Sequence, residues 1–202
     1  ERHTKNKKIR VFHAAFLFKN KLSLMNQENF ININKNITDN LLNALKSAKS
    51  SKVLLISSGA AKIAQEKSLS LSQDPYGFLK LREEQLLSQT THVQVIRIFA
   101  LTGKFINNPA AYALGNFILQ AIQKKEIKLT AKGPIIRGYA NSGDICKYSL
   151  SWLLSNNQTQ QPISAVTHIT PLYSLAEMVS DIFSIAPPSQ LFFNEMPNSY
   201  SD

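Results

Sequence analysis

Lys52-Val-Leu-Leu-Ile-Ser-Ser58 is a run of four apolar residues closed by two hydroxyls, with Gly59 behind it. Continuous apolar character without polar alternation fits a strand covered on both faces, as in a parallel sheet under crossover helices. The same unit recurs in both directions. Upstream, residues 29–48 place Ile33, Ile37, Leu41, Leu42 and Leu45 three to four positions apart, which is one face of an amphipathic helix. Before it, residues 8–15 (KIRVFHAA) read as a buried strand. Downstream, residues 59–74 read as a polar loop, residues 75–89 return to helical spacing with Pro75 in the tolerated first turn, and residues 93–100 (VQVIRIFA) form a third strand. Strands alternating with helices predict an α/β fold built on a parallel sheet.

The 202 residues are 44% hydrophobic and 18% charged, with 7 Gly and 8 Pro, a composition that excludes collagen-like, low-complexity and disordered chains. Cys146 has no partner for an internal disulfide, and no apolar run reaches the roughly 18 to 20 residues that span a bilayer. A cytoplasmic protein with no membrane partner is expected. The net charge of +10 points to an anionic partner. Only Lys5, Lys7, Lys8 and Arg10 cluster, and there is no zinc-finger spacing or basic-aromatic run, so neither a metal site nor a nucleic-acid interface is expected. A basic binding module is the reading this leaves in reserve.

After Gly103 the alternation weakens, which predicts a second, smaller lobe. Residues 114–124 read as a helix, residues 127–129 and 135–139 as short strands, and residues 144–154 as a helix with Ile145, Tyr148, Trp152 and Leu153 on one face and Cys146 packed inside. Ser174 and Glu177 have capping-box spacing and predict a helix over 175–183.

Tyr76 and Lys80 carry the chemistry. Four residues apart on a predicted helix, they share one face about one turn apart. A phenol with a reference pKa of about 10 is a poor acid or base at neutral pH, and a nearby ammonium favours its ionised form. Such a lysine can also bond a ribose. The spacing alone fits equally a helix with a half-buried tyrosine and a solvated lysine. Two sequence neighbours sharpen it: Ser57 and Ser58 end one predicted strand, and Gly103 follows the next, at the carboxyl edge where open parallel sheets bind ligands.

The order of these features resembles the extended short-chain dehydrogenase/reductase family, the NAD-dependent nucleotide-sugar epimerases and dehydratases. Val11-Phe-His-Ala-Ala15 is similar to the family's His-x-Ala-Ala strand end, and Asn34-Lys-Asn-Ile-Thr38 to its Asn-x-x-x-Thr on the next helix. Ile56-Ser-Ser-Gly-Ala60, Tyr76-Gly-Phe-Leu-Lys80-Leu-Arg-Glu-Glu84, Arg97-Ile-Phe with Gly103, Gly115-Asn-Phe-Ile118 and Arg137-Gly-Tyr139 with Asp144 follow in family order. The resemblance implies a partial Rossmann-like, doubly wound parallel sheet over residues 1–103, the C-terminal part of an NAD(P)-binding domain. Residues 104–202 would be a smaller α+β substrate-binding lobe, incomplete at its end.

It further implies hydride transfer between NAD or NADP and a nucleotide-diphosphate sugar. Tyr76 would be the general acid/base, Lys80 would lower its pKa and hold the nicotinamide ribose, and Ser58 would assist. His13, Ala14, Ala15, Asn34 and Ser57 would line the cofactor; Asn116 and Arg137 would hold the substrate's diphosphate. Plainer roles stand beside these: His13 as a core histidine, Asn34 as a bridge between strand and helix, Asn116 as a surface residue, Arg137 as an ion-pair partner of Asp144. A homodimer is compatible with the family. Three features depart from the pattern. The sequence has no Gly-rich phosphate turn, Gly59 stands where a serine or threonine is frequent, and Ala100 where asparagine is common. They keep open a truncated or catalytically impaired relative with a binding role only.

Overall fold

The computed structural model describes residues 8–48, 50–130, 133–158 and 161–190. In chain order the elements are β1 (Lys8–His13), α1 (Gln27–Lys46), β2 (Ser50–Ser58), α2 (Gly59–Glu66), α3 (Pro75–Thr90), β3 (His92–Ile98), β4 (Ala100–Thr102), α4 (Ala113–Ile122), β5 (Lys128–Leu129), β6 (Ile136–Asn141), α5 (Ser142–Leu154), β7 (Ile163–Ala165), β8 (His168–Pro171), α6 (Leu172–Phe183) and β9 (Ser189–Gln190). They divide into two compact units: residues 1–98 with 144–165, and residues 99–143 with 166–202. A single boundary after residue 103 does not describe this division, because residues 144–165 return to the first unit.

In the first unit, β1, β2, β3 and β7 form one sheet in that order, with every neighbouring pair parallel. Val53, Leu54 and Leu55 at its centre are all fully buried, as a run apolar on both faces requires. Strand alternation sorts the faces. Val53, Leu55, Val93 and Val95 pack with Ile9 and Val11 against Leu41, Leu42 and Leu45 of α1 and Leu87 of α3. Arg10 and Lys52, one position out of phase, point the other way and reach α5: Arg10 Nε donates to Leu153 O at 2.7 Å, and Lys52 Nζ to Trp152 O at 2.6 Å and Ser155 O at 2.8 Å. Two cations at the C-terminal carbonyls of α5 suit its dipole. Helices therefore cover both sheet faces, which is the doubly wound arrangement.

The second unit contains the sheet β4-β6-β8, parallel then antiparallel, and the parallel pair β5-β9. Its core joins Phe117 and Ala121 of α4 to Leu172, Ala176 and Val179 of α6, with Ile127 and Leu129 beneath.

Four expectations are corrected. Residues 59–74 are not all loop: α2 forms because Ser58, in extended conformation, accepts a hydrogen bond from Ala60 N and caps an alanine-rich segment. The last helix starts at Leu172 rather than 175, with Pro171 before it and no side-chain cap, so Ser174 lies inside the helix. Cys146 is exposed, not packed. On α5, Ser149 is buried and Tyr148 is not; the Ser149 hydroxyl bonds Ile145 O at 2.6 Å, which lets a small polar residue face inward. No helix among the described residues is long and apolar enough to cross a membrane.

Candidate functional site

The carboxyl ends of β1 and β2 and the first two turns of α3 build the site in the first unit. Pro75 occupies the first turn of α3, where its missing N–H costs nothing. Gly77 lets that turn approach α2. A Cβ there would lie 2.7 Å from Ala60 O and 2.5 Å from Asp74 Oδ2, closer than real contacts allow. Ala60 is two residues beyond the end of β2, so this close approach brings Tyr76 to that strand end. Tyr76 is only 9% exposed and packs with Phe30 and Leu79; Phe16 meets its ring edge-on, 5.8 Å between centroids.

Lys80, on the next turn, is 4% exposed. Its Nζ donates to Ile56 O at 3.0 Å and to Glu83 Oε2 at 3.1 Å, and stands 3.8 Å from the centre of the Phe16 ring. Burial pulls its pKa down from the ordinary lysine value, and the charge and hydrogen bond of Glu83, with the charge of Glu84, oppose that pull.

Behind the pair lies a buried polar network. Glu83 is fully buried; its Oε1 lies 3.0 Å from His13 Nε2 and accepts from Thr38 Oγ1 at 3.3 Å. His13 is thus a core histidine with a partner. Asn34 accepts from Leu17 N at 2.7 Å and donates to Leu17 O at 3.3 Å, pinning the segment after β1 to α1. The Ser57 hydroxyl donates to Glu84, whose carboxylate also takes the Arg97 guanidinium, Nη2 to Oε2 at 2.6 Å and Nε to Oε1 at 3.1 Å. Ser58 is half-buried and caps α2. Ala14 and Ala15 are exposed at the end of β1. Of the expected residues in this unit, Tyr76, Lys80 and His13 therefore belong to one connected cluster. Asn34 and Ser57 bond to protein.

Glu83, Glu84, Phe16 and Arg97 were not singled out as site residues by sequence reasoning. Signals for three of them existed. Glu83 and Glu84 stand three and four residues after Lys80, within reach on one helix face. Arg97 is a charge inside an apolar strand, a place that demands a counter-ion.

The second unit holds a cavity of about 490 Å³ lined by Phe99, Leu101, Tyr112, Ile118, Arg137 and Tyr139, with Lys104 also at its wall. Arg137 and Tyr139 share one face of β6, two residues apart. Arg137 is exposed and lines the cavity. Asn116 does not line it: α4 turns Leu114, Gly115, Ile118 and Leu119 to the wall, and Asn116 accepts from Gln120 Nε2 and donates to Ala110 O at 3.4 Å. Gly115 permits this seat, since a Cβ would lie 2.3 Å from Pro109 O. Tyr139 is buried, and its hydroxyl has no hydrogen-bond partner among the described residues; burial raises its pKa, against the charge of Arg137. Asp144 stands 3.9 Å from Lys147 on its own helix.

The family model of the NAD dependent epimerase/dehydratase family matches residues 4–165. The fold is shared with a UDP-N-acetylglucosamine 4-epimerase from Methanobrevibacter ruminantium M1 solved in complex with UDP-N-acetylmuramic acid, at 20% identity and a TM-score of 0.75 over 95% of this chain and 65% of that one. A UDP-glucuronic acid 4-epimerase from Bacillus cereus, in complex with UDP-glucuronic acid and NAD, matches at 20% identity and a TM-score of 0.72, over 95% of this chain and 64% of that one. RMD from Pseudomonas aeruginosa, complexed with NADPH, matches at 20% identity and 0.71, over 90% and 69%. The chain thus spans just under two thirds of the length of the first two. No curated protein matches.

Proposed function

The chain belongs to the NAD dependent epimerase/dehydratase family, and on that premise we propose that the intact protein converts a nucleotide-diphosphate sugar with NAD or NADP as redox partner. The observation that carries this reading is the buried Tyr76–Lys80 pair on α3, with Lys80 Nζ donating to the end of β2 at Ile56 O. The solved structures of similar fold with UDP-sugars, NAD or NADPH bound support it.

The residues fit the nicotinamide-ribose end of such a cofactor. Ala14 and Ala15 are exposed at the carboxyl end of a parallel strand, and their methyl groups leave the backbone open to a ligand. An ammonium has three N–H groups; Lys80 gives two to Ile56 and Glu83 and turns its remaining side to the Phe16 ring, which a ribose hydroxyl bonding there displaces. Bound there, a nicotinamide supplies hydride acceptance and donation. The protein's own part is the proton. Tyr76 takes the proton from the sugar hydroxyl as it becomes a carbonyl and returns it in the reverse sense, and the positive charge of Lys80 one turn away lowers the cost of the phenolate. Ser58, at the end of β2, is the hydroxyl assigned to assist, and its oxygen also caps α2. In the second unit, Arg137 and Lys104 stand at one cavity wall, and the Arg137 guanidinium suits bidentate, charge-assisted bonds to phosphate oxygens.

A second reading, binding without turnover, draws on the serines at the end of β2: Ser57 is bonded to Glu84 and Ser58 to Ala60 N. One experiment separates the two. The full-length protein is incubated with NAD and with NADP against UDP- and GDP-sugars, cofactor binding is followed by calorimetry, and sugar conversion by proton NMR. Conversion of a sugar nucleotide supports the enzyme, binding without conversion supports the second reading, and failure to bind either cofactor overturns both.

A further inference from the structure

Glu83 is a carboxylate that the chemistry above does not use, yet it is 0% exposed and lies one turn beyond Lys80. An ionised group in such a place requires partners on every side. Its two oxygens divide the task. Oε2 faces Lys80 Nζ at 3.1 Å, while Oε1 faces His13 Nε2 at 3.0 Å from β1 and Thr38 Oγ1 at 3.3 Å from α1. Lys80 in turn spans from Glu83 to Ile56 O. One carboxylate therefore ties α3, β1 and α1 together at the lysine that the proposed chemistry needs.

We infer that Glu83 is a positioning residue, the counter-ion that anchors the Lys80 ammonium at the end of β2. Burial works against the charge on Lys80, and Glu83 supplies both the nearest opposite charge and a direct hydrogen bond. The other titratable groups around the pair are His13 on β1, Tyr76 one turn earlier on α3, and Glu84, the next residue of α3, which already serves Arg97 and Ser57. Glu84 cannot replace Glu83 without releasing Arg97. The anchoring of Lys80 stands on geometry alone; its effect on turnover rests on the function proposed above.

The test reads Lys80 directly, in the full-length protein without cofactor. Lysine is labelled with ¹³C at Cε, the Lys80 signal is assigned by its loss in Lys80→Arg, and its protonation midpoint is followed by NMR against pH. Glu83→Gln, which keeps the shape and removes the charge, lowers the midpoint by about one unit or more, a tenfold loss of proton affinity. Glu83→Asp, whose shorter arm sets the charge farther from Nζ, falls between the two. His13→Asn, which removes a partner of Glu83 but not Glu83 itself, leaves the midpoint near wild type.

A folded Glu83→Gln protein with an unshifted Lys80 midpoint overturns the inference. Where Glu83→Gln does not fold, Glu83→Asp and His13→Asn decide it: equal midpoints in the two overturn it, and a lower midpoint in the aspartate variant alone supports it. A lowered midpoint in a protein that converts no sugar nucleotide supports the anchor and removes only the proposed function.

Discussion

Glu84→Gln removes one charge from the pair that fastens α3 to the sheet. Glu84 and Arg97 are both buried, and three N–H···O contacts join them, at 2.6, 3.1 and 3.2 Å. Ser57 of β2 donates to the same carboxylate. Removing one partner of a buried ion pair leaves the other desolvated without compensation, which costs about 3–5 kcal/mol. Arg97 keeps Gln65 Oε1 at 2.8 Å, and the new amide oxygen still accepts one bond, so the lower end, about 3 kcal/mol, is expected. For a chain of this size that lowers Tm by about 6–12 °C. Urea unfolding followed by circular dichroism measures it, with the midpoint falling at constant slope. The double variant Glu84→Leu with Arg97→Met, which replaces the pair by apolar bulk, recovers most of the loss, because buried pairs exchange for hydrophobic contacts at little net cost. A loss below about 1 kcal/mol in Glu84→Gln refutes the reasoning that this pair holds the helix bearing Tyr76 and Lys80.

Three further outcomes follow from single contacts. Gly77→Ala puts a methyl 2.7 Å from Ala60 O; overpacking of about 1–3 kcal/mol outweighs a helix-propensity gain of at most about 1 kcal/mol, and a more stable variant in urea contradicts the close approach. Tyr139→Phe deletes a buried hydroxyl without a partner among the described residues, so stability holds or rises by about 1 kcal/mol, and a clear loss in thermal unfolding shows that the hydroxyl is in use. Lys80 has a folded pKa below its unfolded value, so between those two values the unfolded chain holds more protons and stability from this site rises with pH. The stability difference, wild type minus Lys80→Arg, therefore grows toward wild type as pH climbs to about 10.4, and a difference that shrinks over that window carries the wrong sign.

The strands of the parallel sheet were legible because burial on both faces leaves little choice of residue: Val53, Leu54 and Leu55 announce their environment. The long helices were legible from spacing. What escaped were elements defined by partners far along the chain. β7 and β8 are three and four residues long and exist because β3 and β6 offer them edges. α2 is eight residues, too short for periodicity to register, and its start depends on the Ser58 cap. In the site, Tyr76 and Lys80 were visible because four-residue spacing is local geometry. Glu83 was legible only as a carboxylate within reach of Lys80; its tie to the sheet comes from His13, 70 positions earlier. Ser57 and Asn34 have partners that only tertiary structure supplies: Ser57 bonds Glu84, and Asn34 bridges to Leu17, the structural role its place between strand and helix also allowed.

The account stands most directly on the phenol of Tyr76. In the full-length protein with the proposed sugar nucleotide and cofactor, Tyr76→Phe removes the hydroxyl and keeps the ring against Phe16. Turnover is expected to fall by about 10²–10⁴-fold while the cofactor dissociation constant stays within a few-fold of wild type. A variant that turns over at nearly the wild-type rate contradicts the assignment of the proton to Tyr76.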